Sequence, residues 1–164
     1  MDYQNFVNQI DIMTCIISVE TKEDGTYGEN RIVTGNPAYI KSIEHANPDA
    51  PQMLTSKFVP NSLYQNYFTT DMNFEDFIYR SAVLHQNLHT YVNLYQIGLW
   101  VELYLLPLTS DKENMGYCLY SYIVTPKVDT GNMSDISPTT SSAVLKTCIK
   151  LRGAEDFENK INEV

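Results

Sequence analysis

Residues Ile97 to Val124 read IGLWVELYLLPLTSDKENMGYCLYSYIV. Two arms dominated by Leu, Val and Tyr, with the chain's one Trp, flank the polar loop Thr109 to Asn114. Runs of β-formers broken by a short polar loop predict two adjacent antiparallel strands. These arms are longer and more apolar than any other part of the chain, so they are expected at the centre of a sheet. Alternation along a strand leaves two candidate faces in the first arm. Leu99, Val101, Leu103 and Leu105 are uniformly apolar and are expected to face the core. Trp100, Glu102, Tyr104 and Leu106 carry an indole and a carboxylate and are expected to face outward.

Upstream, residues 2–10 form a short amphipathic pattern. Asp2 is placed to cap it, and Phe6, Val7 and Ile10 share one face. Ile12 to Glu20 is β-rich. Asp24-Gly25 follows as a hairpin signal, because Gly tolerates positive φ, and Arg31 to Thr34 is the returning strand. Asn36 then suits an N-cap and Pro37 a first helical position. Ala38, Tyr39, Ile40 and Ile43 supply about two turns of buried stripe. Asn61 to Phe68 reads as another helical turn. Asn73 caps the clearest helix of this region, with Glu75 and Asp76 in its first turn and Phe74, Phe77, Ile78 and Ala82 at helical spacing. Leu88 to Tyr95 is the strand before the central hairpin.

Downstream, residues 127–140 are rich in Pro, Gly, Ser, Thr and Asp and read as a linker. Residues 141–164 read as helix, with Val144, Leu145, Cys148 and Ile149 on one face. The helical pattern runs on to Val164, as expected if a further domain follows. The expected division is therefore a domain over 1–126, a linker over 127–140 and a helical extension over 141–164.

The chain has 164 residues, 43% of them hydrophobic, which suffices for one core plus an appendage. Its net charge of −9 offers no basic patch for phosphates, so neither nucleic acid nor an anionic membrane is an expected partner. The segment MDYQNFVNQI lacks the features of a signal peptide, and no apolar run reaches the roughly 18 residues of a membrane span. A cytoplasmic protein is expected. Three widely spaced cysteines, Cys15, Cys118 and Cys148, suggest reduced, buried thiols. His45, His85 and His89 form no metal set: a helix-to-strand boundary falls between His85 and His89 and destroys their shared face. No phosphate-cradling glycine loop is present.

Two strands, short helices, one longer helix and three strands make an α+β order. With Arg31-Ile32-Val33-Thr34-Gly35-Asn36-Pro37-Ala38-Tyr39 at the strand-to-helix step, this order resembles a PAS domain. The resemblance implies a five-stranded antiparallel sheet with helices on one face, here with an added N-terminal helix and C-terminal helical extension. MDYQNFVNQIDIMTCIISVE, TSKFVPNSLYQNYF and TCIKLRGAEDF are similar to the N-terminal sensory segment of clostridial multidomain signalling proteins. That similarity implies GAF-like and GGDEF-type domains downstream, the latter a diguanylate cyclase. The chain itself has no GG(D/E)EF, HD or kinase motif, so a non-catalytic sensor is expected.

A PAS-like fold implies a cavity between the sheet and the helices. Val101, Leu103 and Leu105 are its expected floor, and Asn36, Tyr39, Phe77, Ile78 and Leu84 are expected across it. Tyr91 and Tyr120 would add hydroxyls that orient a ligand. The same residues could equally fill a core completely, leaving an interaction module. No cofactor is identifiable, although a small-molecule ligand is compatible with the pattern. An enzyme of isomerase or dehydratase type would need a carboxylate in the cavity, and Glu102 is the candidate. A homodimer is expected through Phe6, Val7 and Ile10 and through Trp100 and Tyr104.

Overall fold

A computed structural model describes residues 2–45, 53–94 and 97–128. Their order is α1 (Tyr3–Val7), β1 (Met13–Thr21), β2 (Tyr27–Gly35), α2 (Pro37–Glu44), β3 (Ser62–Leu63), a 3₁₀ turn (Tyr64–Asn66), α3 (Met72–Ala82), β4 (Leu88–Leu94), β5 (Leu99–Leu108) and β6 (Met115–Thr125). The expected linker beyond Val128 and the C-terminal helix lie outside the described residues, as does Cys148.

The architecture is α+β, with one antiparallel sheet ordered β3-β2-β1-β6-β5-β4. The sheet has six strands where five were expected. The extra one is Ser62–Leu63, which pairs with Arg31 and Ile32 at the β2 edge. Asn61, at φ +60, turns the chain into this bridge, so the helical turn read over 61–68 is confined to Tyr64–Asn66. Gly25 (φ +81) closes the β1–β2 hairpin as its Asp-Gly pair implies.

Both sheet faces are partly covered. On the inner face, Ile17, Val19 and Ile32 pack with Tyr39 and Ile43 of α2 and Ile78 and Ala82 of α3. On the outer face, Val7 of α1 packs with Ile16, Tyr117 and Leu119. Ile16 pairs with Thr34 while Ile17 pairs with Ile32, so Val33 bulges. The bulge brings Val33 against the outer cluster, and the Thr34 hydroxyl donates to Gln4 Oε1 of α1. Val7 is fully buried, so the stripe expected to offer a dimer surface in part covers the protein's own sheet.

Local chemistry explains where the helices start. Asp2 accepts from the Asn5 N–H (3.1 Å) and Asn36 from the Tyr39 N–H (2.8 Å). The cap of α3 is Asp71, which accepts from Asn73 and Phe74 N–H (2.8 and 3.3 Å). Asn73 therefore lies inside the first turn, not at its cap. Among the described residues no helix is long and apolar enough to cross a membrane.

Candidate functional site: a helix-roofed cavity

β5 presents Leu99, Val101, Leu103 and Leu105 to a cavity of about 970 Å³ between the inner sheet face and the helices. Tyr120, Tyr122 and Val124 of β6 and Thr90, Val92 and Leu94 of β4 continue this wall. The strand register explains the set, since Leu105 opposes Tyr120 and Leu88, and Leu103 opposes Tyr122 and Thr90. α3 contributes Phe74 and Phe77 from one side, and α2 contributes Ala38, Lys41 and Ser42 from another, with His45 at its C-cap. The α2 residues recur at helical spacing and form one stripe. Tyr39 and Ile43 point elsewhere, into the core.

The wall is mostly apolar, with a few polar groups. Ser42 donates to the Tyr39 carbonyl (2.7 Å), which leaves its oxygen to accept from the Tyr122 hydroxyl (2.8 Å). Tyr120 is 7% exposed, and its hydroxyl has no hydrogen-bond partner among the described residues. Burial pushes that phenol well above its ordinary range, so it stays protonated and can donate. Lys41 and His45 are exposed at the rim, and Lys41 has no ion-pair partner among the described residues. Asp71, the carboxylate on the lining, is engaged with the α3 N-terminus.

The ten expected pocket residues divide. Phe77, Val101, Leu103, Leu105 and Tyr120 line the cavity. Tyr91 borders it, but its hydroxyl donates to Glu102 (3.0 Å). Tyr91 pairs directly with Glu102 across β4 and β5, which puts its side chain on the outer face and removes its expected hydroxyl from the cavity. Asn36, Tyr39 and Ile78 are buried away from the cavity, as structural residues of the core. Leu84 is 51% exposed, because α3 ends at Ala82 and the chain turns through His85 at φ +54. Lys41, Ser42, Thr90 and Tyr122 were not expected at the cavity. The spacing of Ala38, Lys41 and Ser42 signals a second α2 face, hidden by the apolar stripe beside it.

Glu102 lies on the outer face with His89, Tyr91 and Tyr104, so the carboxylate required for catalysis in the cavity is not there. Its Oε1 lies 2.9 Å from His89 Nε2 and accepts from the Tyr104 hydroxyl at 2.5 Å. The His89 ring stacks on Tyr104 at 4.4 Å. The Tyr104 hydrogen bond is the largest influence holding the Glu102 carboxyl below its ordinary value, while Glu102 pushes the Tyr104 phenol up to about 12. A carboxylate with a lowered folded pKa contributes stability above its unfolded value, near 4.5, and loses it as pH falls through the folded value. Wild type is therefore expected to lose more stability than Glu102→Gln between neutral pH and that acid window. Denaturant midpoints measured across pH check this, and parallel curves would refute it.

The thiols are poor sensors. Burial pushes Cys15 far up and Cys118 up to about 12, which disfavours the reactive thiolate. Among the described residues no group of His, Cys, Asp and Glu could hold a metal ion.

No family model matches the chain. No curated protein matches it either. Among solved structures it is similar to a LOV protein from Rhodobacter sphaeroides, at 13% identity and a TM-score of 0.43, over 98% of this chain and 86% of that one. A likeness at that level carries no argument about ligand or activity.

Proposed function

We propose that this chain is a non-catalytic sensory or regulatory domain of PAS-like type, whose cavity holds a small molecule. The observation that carries the reading is the cavity itself, walled by the apolar face of β5 and β6 and roofed by α2 and α3. The order of the five long strands, β2-β1-β6-β5-β4, supports the PAS-like assignment. In this reading the domain is cytoplasmic and homodimeric. It belongs to a bacterial multidomain protein with GAF-like and GGDEF-type domains downstream, and residues 127–164 connect it to them. Occupancy would shift the domain between two states, which requires a ligand that binds the two states differently. Glu102 on the opposite face weighs against the enzymatic alternative.

Native mass spectrometry of the full chain purified from cells tests this. The expected spectrum shows a dimer with a retained small molecule, lost on denaturation. Leu103→Trp and Val101→Phe, which place bulk in the cavity where space exists, are expected to fold and carry no adduct. A wild-type chain that carries no adduct, like both variants, would overturn the ligand reading, and a monomer at high concentration would overturn the dimer.

A further inference from the structure

We infer that the cavity selects an apolar monocarboxylate with a second oxygen along its body; this rests on the sensory reading that the cavity is occupied. Two lining groups without a protein partner among the described residues matter here, one on an exposed side chain and one on a buried side chain. The first is the Lys41 ammonium at the rim, an exposed cation with no ion pair among the described residues of a chain whose net charge is −9. The second is the Tyr120 hydroxyl, on a side chain more than nine-tenths buried in the cavity wall. Its oxygen opens onto the cavity, where a ligand acceptor can take the place of water as its hydrogen-bond partner.

Ser42, Tyr122 and Asp71 on the same lining are engaged by the protein. Ser42 and Tyr122 bond each other, and Asp71 caps α3 through two N–H donors that draw on its charge. His45, the C-cap of α2, lines the same cavity as Lys41 and offers a second nitrogen to an anionic head group. Between rim and floor the wall is Leu99, Val101, Leu103, Leu105, Phe74 and Phe77, which suits a chain or ring of carbon and no further charge. The unmatched donors thus set both the sign of the head group and the need for an oxygen deeper in the ligand.

Calorimetric titration of the ligand-stripped full chain with decanoate, decanol and a series of oxodecanoates tests this. Decanoate is expected to bind on the order of tenfold tighter than decanol, the size of one charge-assisted contact. Lys41→Gln should abolish that ratio and Lys41→Arg should restore it. One oxodecanoate, with its carbonyl at the depth of Tyr120, should exceed decanoate, and Tyr120→Phe should remove this gain while leaving decanoate unchanged. Equal binding of acid and alcohol, or a ratio indifferent to Lys41→Gln, overturns the head-group assignment and leaves the sensory reading standing. No preference within the oxodecanoate series overturns the role of Tyr120. Failure of every probe to bind wild type overturns this ligand class, while the retained adduct seen by mass spectrometry decides the sensory reading separately.

Discussion

Asn36→Ala is expected to lose about 3–5 kcal/mol of folding stability, the largest effect of any single polar substitution in the domain. Asn36 is fully buried, and every polar atom of its side chain is used. Oδ1 accepts from the Thr14 N–H (3.2 Å) and from the Tyr39 N–H (2.8 Å). Nδ2 donates to the carbonyls of Ile10 (2.6 Å) and Ile12 (2.7 Å). One amide thus holds the approach to β1, its first residues and the start of α2. Truncation takes this partner from the Thr14 and Tyr39 N–H groups and the Ile10 carbonyl, at about 1–3 kcal/mol for each group that water cannot reach, while the Ile12 carbonyl keeps the Thr14 hydroxyl. The Tyr39 N–H among these is the α2 cap contact.

Asn36→Asp separates the two halves of this role. It keeps the cap acceptor but loses both donors and sets a carboxylate against two carbonyl oxygens. It is therefore expected to be nearly as damaging at neutral pH and to recover partly in mild acid, where a protonated Asp can donate once. Urea denaturation at two pH values measures both variants. A loss below about 1 kcal/mol for Asn36→Ala would show the network to be dispensable.

Gly116→Ala is expected to cost about 1–3 kcal/mol through a backbone collision. A Cβ at this position would stand 2.5 Å from the Ala82 carbonyl oxygen and 2.8 Å from its carbon. Those atoms belong to the last residue of α3, so relief requires the helix and β6 to separate. Gly28 is a useful control. Its Cβ would meet the Glu20 carboxylate, the far end of an exposed side chain that can swing away. Gly28→Ala is therefore expected to change stability by no more than about 0.5 kcal/mol. Because α3 carries Phe74 and Phe77, the Gly116 variant should also loosen the cavity roof. Denaturant midpoints of the two variants distinguish the cases, and equal midpoints would overturn the argument.

The parts legible in sequence were those with a strong local rule. The β5 and β6 arms alternate so regularly that the inner set Leu99, Val101, Leu103 and Leu105 could be separated from the Trp100 set by one carboxylate. Asn-Pro at residues 36–37 combines a cap acceptor with a residue that needs no N–H, so the start of α2 was readable. Leu84 was misplaced because apolar spacing carries on past Ala82, while the α3 end depends on a left-handed residue at His85 that no Gly announces. Ser62–Leu63 is too short to show a period. The chemistry of Tyr91 does not fix its face, which follows from the β4–β5 register that places it opposite Glu102. Lys41 carries no signal in the sequence, because charges on short helices ordinarily face solvent and nothing local says that a cavity opens beside it.

The pairing of β1 with β6 has a consequence for how the protein is made. Among the described residues the first strand and the last lie side by side, from Met13 opposite Tyr122 to Glu20 opposite Met115. Contacts so distant along the chain slow folding, because a long loop must close before they form. On the ribosome, a nascent chain ending before residue 115 exposes one edge of β1 with nothing to receive it. Acquisition of native structure is therefore expected late and in one step, once the segment up to Thr125 has left the exit tunnel. Pulling-force measurements on stalled chains of increasing length should show that single late event.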